Sequence, residues 1–320
     1  MQGSPRILVG LDCIVAATII AEGPARMAEK FSKFRDPGTG IQVFLTPVST
    51  RSSILLAVFS LVGILRSLVA LVAYAVYWVL PSVGVRLGLV ALGYWRLSPD
   101  YRGRVAGKVV VANHSSWIDL LVLTALYPGA VFVQPVRNDA PRAKGKLNAV
   151  SANARMTGVN DASLAVTGYA LLPLHQALRY VGDLPPTNLP NMFSTIDAAV
   201  KSAAGPVVIF PEVVTSNNRA LLHMDSALVP KSHVVVVSIK YASPTPAAPS
   251  SVSAPFQPLW KHALKLIASS PVRSVTIRAT MANEDVAGVL AGLGRWKRTA
   301  IDWTAKREFL DLVQARSKKS

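Results

Sequence analysis

Residues 54–80 read ILLAVFSLVGILRSLVALVAYAVYWVL, an apolar run whose one charge is Arg66. At 1.5 Å of rise per residue this is about 40 Å of helix, more than the ~30 Å hydrocarbon slab of a bilayer requires. An arginine at the centre of such a segment costs about 3 kcal/mol on insertion scales unless its head reaches the interface. Two arrangements remain. A tilted single span buries Arg66, whereas a re-entrant or monotopic helical hairpin bends near residues 63–67 and leaves Arg66 at the headgroups. The hairpin is the arrangement we expect of the two; a buried core helix is a third and lesser reading, because core helices rarely run this long without polar positions. Tyr74, Tyr77, Trp78 and Trp95 near the far end suit interfacial anchors.

After Pro99 the pattern changes to short β-branched runs alternating with helical spacing. Strands are expected near 108–112, 130–133, 206–210, 234–240 and 272–278. Helices are expected near 117–126, 162–181, 193–203 and 259–268, with a C-terminal helix over 302–315. This alternation predicts an α/β fold, a mixed and largely buried β-sheet surrounded by helices. Residues 242–258, rich in Pro, Ser and Ala, read as an exposed loop. Three regions follow: a polar, partly disordered segment over 1–52, a membrane-embedded helical region over 53–98, and the α/β domain over 99–320. The short apolar stretch at 14–21 follows Asp12 and is a poor secretory signal, and Met27 is read as an alternative start.

Composition narrows the partners. With 51% hydrophobic and 16% charged residues the chain has ample material for a core, which excludes intrinsic disorder. Its 34 basic against 17 acidic residues give a net charge of +17. A chain both apolar and cationic points to an anionic partner at an apolar surface, hence a membrane leaflet or a phosphorylated lipid. Nucleic acid is not expected, since the basic residues lack interleaved exposed aromatics. The lone Cys13 excludes an intrachain disulfide framework and thiolate zinc sites. His114, His175, His223, His233 and His262 form no ligand pattern, so no metal is expected.

Two stretches carry candidate chemistry. In NHSSWID (residues 113–119) a strand runs into His114, and Asp119 follows in the first turn of a helix. Five residues rotate a straight helix by about 140°, so the pair meets only if His114 lies in the turn before it. The carboxylate can then hold one ring nitrogen and fix the other as a base. Helix initiation explains the same spacing, because Ser116 and Asp119 also form a capping-box pattern. In FPEVVTSNNRALL (residues 210–222) a second strand ends in Glu212, Thr215, Ser216, Asn217 and Arg219. Arg219 is suited to bidentate phosphate contact.

Together, in this order and about a hundred residues apart, these stretches resemble the NHxxxxD and FPEGT motifs of the glycerolipid acyltransferase superfamily. FRDPGTGIQVFL (residues 34–45) and the apolar run after it resemble the fungal-type lysophosphatidic acid acyltransferase branch, as do VVVVSIKY and VRSVTIRA (residues 234–241 and 272–279). The resemblance covers roughly residues 31–280. It implies a glycerol-3-phosphate acyltransferase-like fold and acyl transfer from acyl-CoA, a co-substrate rather than a resident cofactor, to a lysophospholipid such as 1-acyl-sn-glycerol-3-phosphate. It makes His114 the general base and Asp119 its orienting partner. Glu212, Thr215, Ser216, Asn217 and Arg219 would line the phosphate end of the acceptor. It further implies action at the endoplasmic reticulum membrane and lipid droplets, with no obligate protein partner.

Several positions depart from the family pattern. Val213–Val214 replace its Gly-Thr, and Asn218 replaces a later Gly; Val235 or Val236 stands where it commonly has proline. Valine adds bulk and restricts the backbone where glycine permits φ > 0. No middle motif is found between Arg137 and Tyr180. The departures leave a remodelling acyltransferase or a non-catalytic membrane or trafficking homologue as alternatives. Arg137, Arg142, Lys144, Lys146 and Arg155 could face CoA phosphates or anionic lipid. Arg295, Lys297, Arg298, Lys306, Arg307, Arg316, Lys318 and Lys319 are expected on a solvated, membrane-facing surface.

Overall fold

The computed structural model describes residues 31–48, 53–102, 107–140, 161–230 and 233–317. Met27 and the basic positions Arg142, Lys144, Lys146, Arg155, Lys318 and Lys319 lie outside the described residues. Strands β2 (Val109–Ala112), β5 (Val207–Ile209) and β7 (Val234–Tyr241) are runs of β-branched residues. Successive side chains of a strand point to opposite faces, so a run apolar at every position must be covered on both. Val109, Val111, Val207, Ile209, Val234 and Val236 enter one core, with Leu222, Leu290 and Phe309. Val110, Ala112, Val208, Val235 and Val237 enter the other, with Leu89, Ile118 and Leu266. Each fully buried valine contributes about 1.5–3 kcal/mol.

The remaining members of this sheet are β1 (Pro99–Arg102), β3 (Val131–Arg137), β4 (Val166–Leu172) and β8 (Val275–Ala282). The order is β1-β8-β7-β2-β5-β3-β4. Strands β7, β2, β5 and β3 run parallel, whereas β8 and β4 are antiparallel to β7 and β3. The sheet is mixed, as expected. A small parallel pair, β6 (Ala220–Leu221) with β9 (Lys297–Arg298), lies beyond it.

One expected helix, over 162–181, is instead β4 followed by a single turn, Leu174–Ala177. Pro173 lacks the N–H that a helix interior needs. Val166, Thr167 and Tyr169 suit a pleated surface, and β3 offers a partner edge that pairs Gln134 with Ala170 and Phe132 with Leu172. The loop expected to be exposed is docked in part: Ser251 and Val252 are buried, and the Ser253 carbonyl accepts the Thr46 hydroxyl at 3.0 Å.

The apolar run does not make the hairpin expected within it; it is one continuous helix that pairs with the helix after it. Helix α1 (Ser53–Tyr77) continues through Gly63 and Arg66, and the chain turns at residues 78–80 into α2 (Pro81–Ala91). Gly84 permits the close crossing, because a Cβ there would lie 2.4 Å from the Tyr77 backbone. Arg66 does not reach an interface; only 6% of it is exposed. Its Nε donates to the Ala91 carbonyl at 2.9 Å, and its Nη1 to those of Ile267 and Ser269 at 2.7 and 2.9 Å. Ala91 and Ile267 are the last residues of α2 and of the helix Leu259–Ile267, so one guanidinium satisfies carbonyls at two helix C-termini, where positive charge is favoured.

The inward side of α1 is therefore small or polar at Gly63, Arg66 and Ala73, while Leu61, Ile64, Leu65, Leu68, Leu71 and Val72 face outward. The segment Ala57–Tyr77, 21 residues and mostly unburied, is long and apolar enough to cross a membrane. Tyr74, Trp78 and Trp95 are exposed, and Tyr77 is half-buried.

Candidate active site

The two motifs sit at the carboxyl ends of adjacent parallel strands, where Val111 of β2 pairs with Ile209 of β5. That end of an open α/β sheet is where the chain leaves the ladder and ligands bind. Asn113 extends the β2–β7 ladder with its side chain: Nδ2 donates to the Ile239 carbonyl at 3.0 Å and Oδ1 accepts the Ile239 N–H at 2.8 Å. The backbone is thereby free to turn at His114, and helix α3 (Ile118–Leu126) starts a few residues later.

Asp119 Oδ2 accepts the N–H groups of Ser115 and Ser116 at 2.6 and 2.8 Å and lies 3.3 Å from His114 Nδ1. Its Oδ1 accepts the Tyr241 hydroxyl at 2.6 Å. Ser116 Oγ in turn accepts the Ile118 N–H at 3.3 Å. Cap and dyad are thus one carboxylate, so the competing explanations of the spacing both hold. An acceptor beside Nδ1 assigns the ring proton to that nitrogen and leaves the Nε2 lone pair available. The ring stacks on Phe210, with centroids 4.2 Å apart. Burial, and then the Asp119 charge, raise the Tyr241 phenol well above its ordinary range, which keeps it a donor.

Glu212 is fully buried and does not face a groove. Its Oε1 accepts the His114 N–H at 2.8 Å and its Oε2 the Leu222 N–H at 2.9 Å. Burial pushes this carboxyl up to about 8 against the pull of those two amides. Ser216 completes the bracket, its N–H donating to the His114 carbonyl at 2.8 Å. Asn217 ties down the N-terminal segment, with Nδ2 donating to the carbonyls of Gln42 and Leu45. Arg219 is exposed and lines a separate cavity of about 230 Å³ with Lys240 and Ser243. Of the residues expected to bind substrate, Thr215 and Ser216 line a cavity of about 400 Å³ that also takes in Val181, Phe256, Lys306 and Phe309.

His114 opens into a much smaller recess of about 20 Å³, space for roughly one water. Val213 and Val214 line it, and Val181, Gly182, Asp183 and Thr215 are common to the recess and the larger cavity. Val213 has φ +63° and Asn218 has φ +63°. Both positions where the resembled family has glycine thus adopt the left-handed backbone that glycine favours. Asparagine tolerates that region, whereas β-branched valine is a genuine outlier there.

Sequence reasoning missed Tyr241 as a partner of Asp119, and it placed Lys306 on the surface although the residue is 4% exposed. A tyrosine closing an apolar strand carries no signal of what it will meet. Lys306 stood among basic residues on a polar helix, where solvent is the ordinary expectation. His262 is a structural link: Nδ1 accepts the Trp117 indole N–H at 2.9 Å, and Nε2 lies 3.0 Å from the Ser250 carbonyl. Among the described residues no three His, Cys, Asp or Glu side chains converge as a metal site. Comparison with protein-family models, with curated proteins and with solved structures found no match.

Proposed function

We propose that this protein is a membrane-associated acyltransferase that moves a fatty acyl group from acyl-CoA to the free hydroxyl of a lysophospholipid, 1-acyl-sn-glycerol-3-phosphate being the acceptor of choice. The observation that carries the reading is the 3.3 Å approach of Asp119 Oδ2 to His114 Nδ1 at the carboxyl edge of the sheet. It is supported by the order and content of the two motifs and by the outward apolar face of α1.

In the reaction, His114 Nε2 takes the hydroxyl proton while Asp119 stabilises the imidazolium. The freed oxygen forms a bond to the thioester carbonyl carbon. The tetrahedral oxyanion collapses, the C–S bond breaks, and the CoA thiolate leaves and is protonated by the imidazolium. The products are the diacyl lipid and CoA, with no covalent enzyme intermediate and no resident cofactor. The resemblance carries with it the endoplasmic reticulum membrane and lipid droplets as the place of action, and the apolar hairpin suits lateral entry of a lipid from one leaflet.

A second reading, a non-catalytic homologue that keeps the fold, is favoured by one observation. Val213 narrows the recess at His114 while holding a backbone conformation that suits glycine. The two are separated by incubating membranes that contain the protein with radiolabelled acyl-CoA and a panel of lysolipids. Product from wild type, with a loss of at least about a hundredfold in His114→Ala, is expected for a general base. Equal turnover by both proteins refutes the role of His114, and no turnover on any lipid selects the silent homologue.

A further inference from the structure

Lys306 has a setting that the acyl-transfer chemistry does not use. It is the second residue of the C-terminal helix Ala305–Ser317, where the positive end of the helix dipole disfavours a cation. It is also 4% exposed. Its Nζ donates to the carbonyl and hydroxyl oxygens of Thr215 at 3.0 and 2.7 Å. An ammonium has three N–H donors, and neither of these acceptors is charged. Among the described residues Lys306 takes part in none of the ion pairs. A buried cation without a contacting countercharge is strongly unfavourable. Burial accordingly pushes this ammonium down to about 7, with only the charges of Asp183 and Glu212 working in the opposite direction.

Among the described residues no carboxylate is in ion-pair contact with Lys306, and an anion has room to enter. Lys306 lies on the wall of the 400 Å³ cavity, with Thr215, Ser216 and Arg179 as further donors. Asp183 is the one acidic residue on that wall, and it is exposed. Val181, Phe256 and Phe309 make other parts of the wall apolar. The cavity adjoins the recess at His114 through Val181, Gly182, Asp183 and Thr215, and Ser216, next to Thr215, bonds the His114 carbonyl. An anion on Lys306 is therefore held one short segment of chain away from the base.

We propose that Lys306 receives the phosphate monoester of the acceptor lipid in this cavity, which sets the neighbouring glycerol hydroxyl toward His114; the lipid rests on the acyltransferase reading, the anion on the geometry of Lys306. A phosphate monoester brings close to two negative charges and three acceptor oxygens. A lysine meets such a group as a compact point charge with rotatable donors.

The test is calorimetric binding to the full chain in detergent, comparing short-chain lysophosphatidic acid with the matching monoacylglycerol and with CoA. Lys306→Met should weaken the phosphorylated lipid by at least about tenfold, and leave monoacylglycerol and CoA unchanged. Lys306→Arg should recover part of the loss. Affinity of Lys306→Met for lysophosphatidic acid within twofold of wild type overturns the assignment, as does parallel loss of both lipids. Weakened CoA binding in place of lipid binding assigns the lysine to the co-substrate and overturns it too. Wild type supplies an independent reading should Lys306→Met not fold. Glycerol 3-phosphate should slow acetylation of Lys306, measured by peptide mass spectrometry, and glycerol should not; equal rates overturn the assignment. Failure of the two readings is distinguishable. Lysine-dependent lipid binding without acyl transfer sinks the reaction alone, and acyl transfer with lysine-independent binding sinks the anion site alone.

Discussion

The carboxylate of Glu212 holds the backbone of His114: Oε1 accepts its N–H at 2.8 Å, while Oε2 accepts the N–H of Leu222 at 2.9 Å. A residue of the second motif thereby sets the position of His114 in the first. Above about pH 8, where the carboxyl is ionised, Glu212→Gln keeps the shape but turns an amide N–H₂ toward one of the two backbone donors. The expected cost is about 1–3 kcal/mol for the donor left without a partner. Denaturant melts should register that loss, together with a lower kcat and little change in KM. An unchanged melt would mean that the bracket carries no weight.

Val213 supplies the sharpest test of whether the site is active or degraded. Val213→Gly relieves a positive-φ strain of about 1–3 kcal/mol but removes a buried side chain of similar worth. Stability should therefore change by less than about 1 kcal/mol, while the recess at His114 widens. Turnover should rise at least about tenfold, equivalent to about 1.4 kcal/mol off the barrier. Val213→Ala, which keeps the strain and loses the packing, should be the less stable of the two in a thermal melt. The opposite order would show that the backbone at 213 is not strained.

Arg66 anchors the apolar hairpin from within. Arg66→Leu leaves the carbonyls of Ala91, Ile267 and Ser269 without their donor, at an expected cost of about 3 kcal/mol. Leu65→Gln, on the outward face, should leave folding unchanged and weaken partition onto liposomes. Limited proteolysis and liposome flotation separate the two effects. If Arg66→Leu were as stable as wild type, the guanidinium would not be holding the hairpin to the domain.

His262 makes stability depend on acidity. Burial depresses its imidazole from 6.5 to about 4, so between those values the unfolded chain binds more protons than the folded one. Stability is full above 6.5 and falls as pH drops toward about 4. A shift of that size is worth about 3 kcal/mol at the acid end. His262→Gln, which can still accept from Trp117 and donate to Ser250, should flatten the dependence. Melts at several pH values check this, and parallel curves for both proteins would assign the acid sensitivity to another group.

Much of the architecture was legible because it depends on local chemistry. Runs such as VVVVSIKY read as strands covered on both faces, and the apolar segment at 54–80 reads as a helix long and apolar enough to cross a membrane. The pairing of His114 with Asp119 was legible as well, since five residues across a turn leave few geometries. Residues 162–181 were misread because their spacing fits a helix until Pro173 is weighed against the free edge of β3, an element distant in sequence. Arg66 was expected at the headgroups for the same reason: its acceptors lie about two hundred residues away, at Ile267 and Ser269.

What the sequence by itself determined, then, is the alternation of elements, the helical nature of the apolar run and the identity of the His–Asp pair, all governed by neighbours within a few residues. Only the tertiary structure decided which side of each motif faces a cavity. It turned Glu212 inward as a bracket, sent Arg219 to another surface, and drew Lys306 under Thr215. Burial and hydrogen-bond partners are settled by contacts between distant segments, and composition carries no record of those contacts.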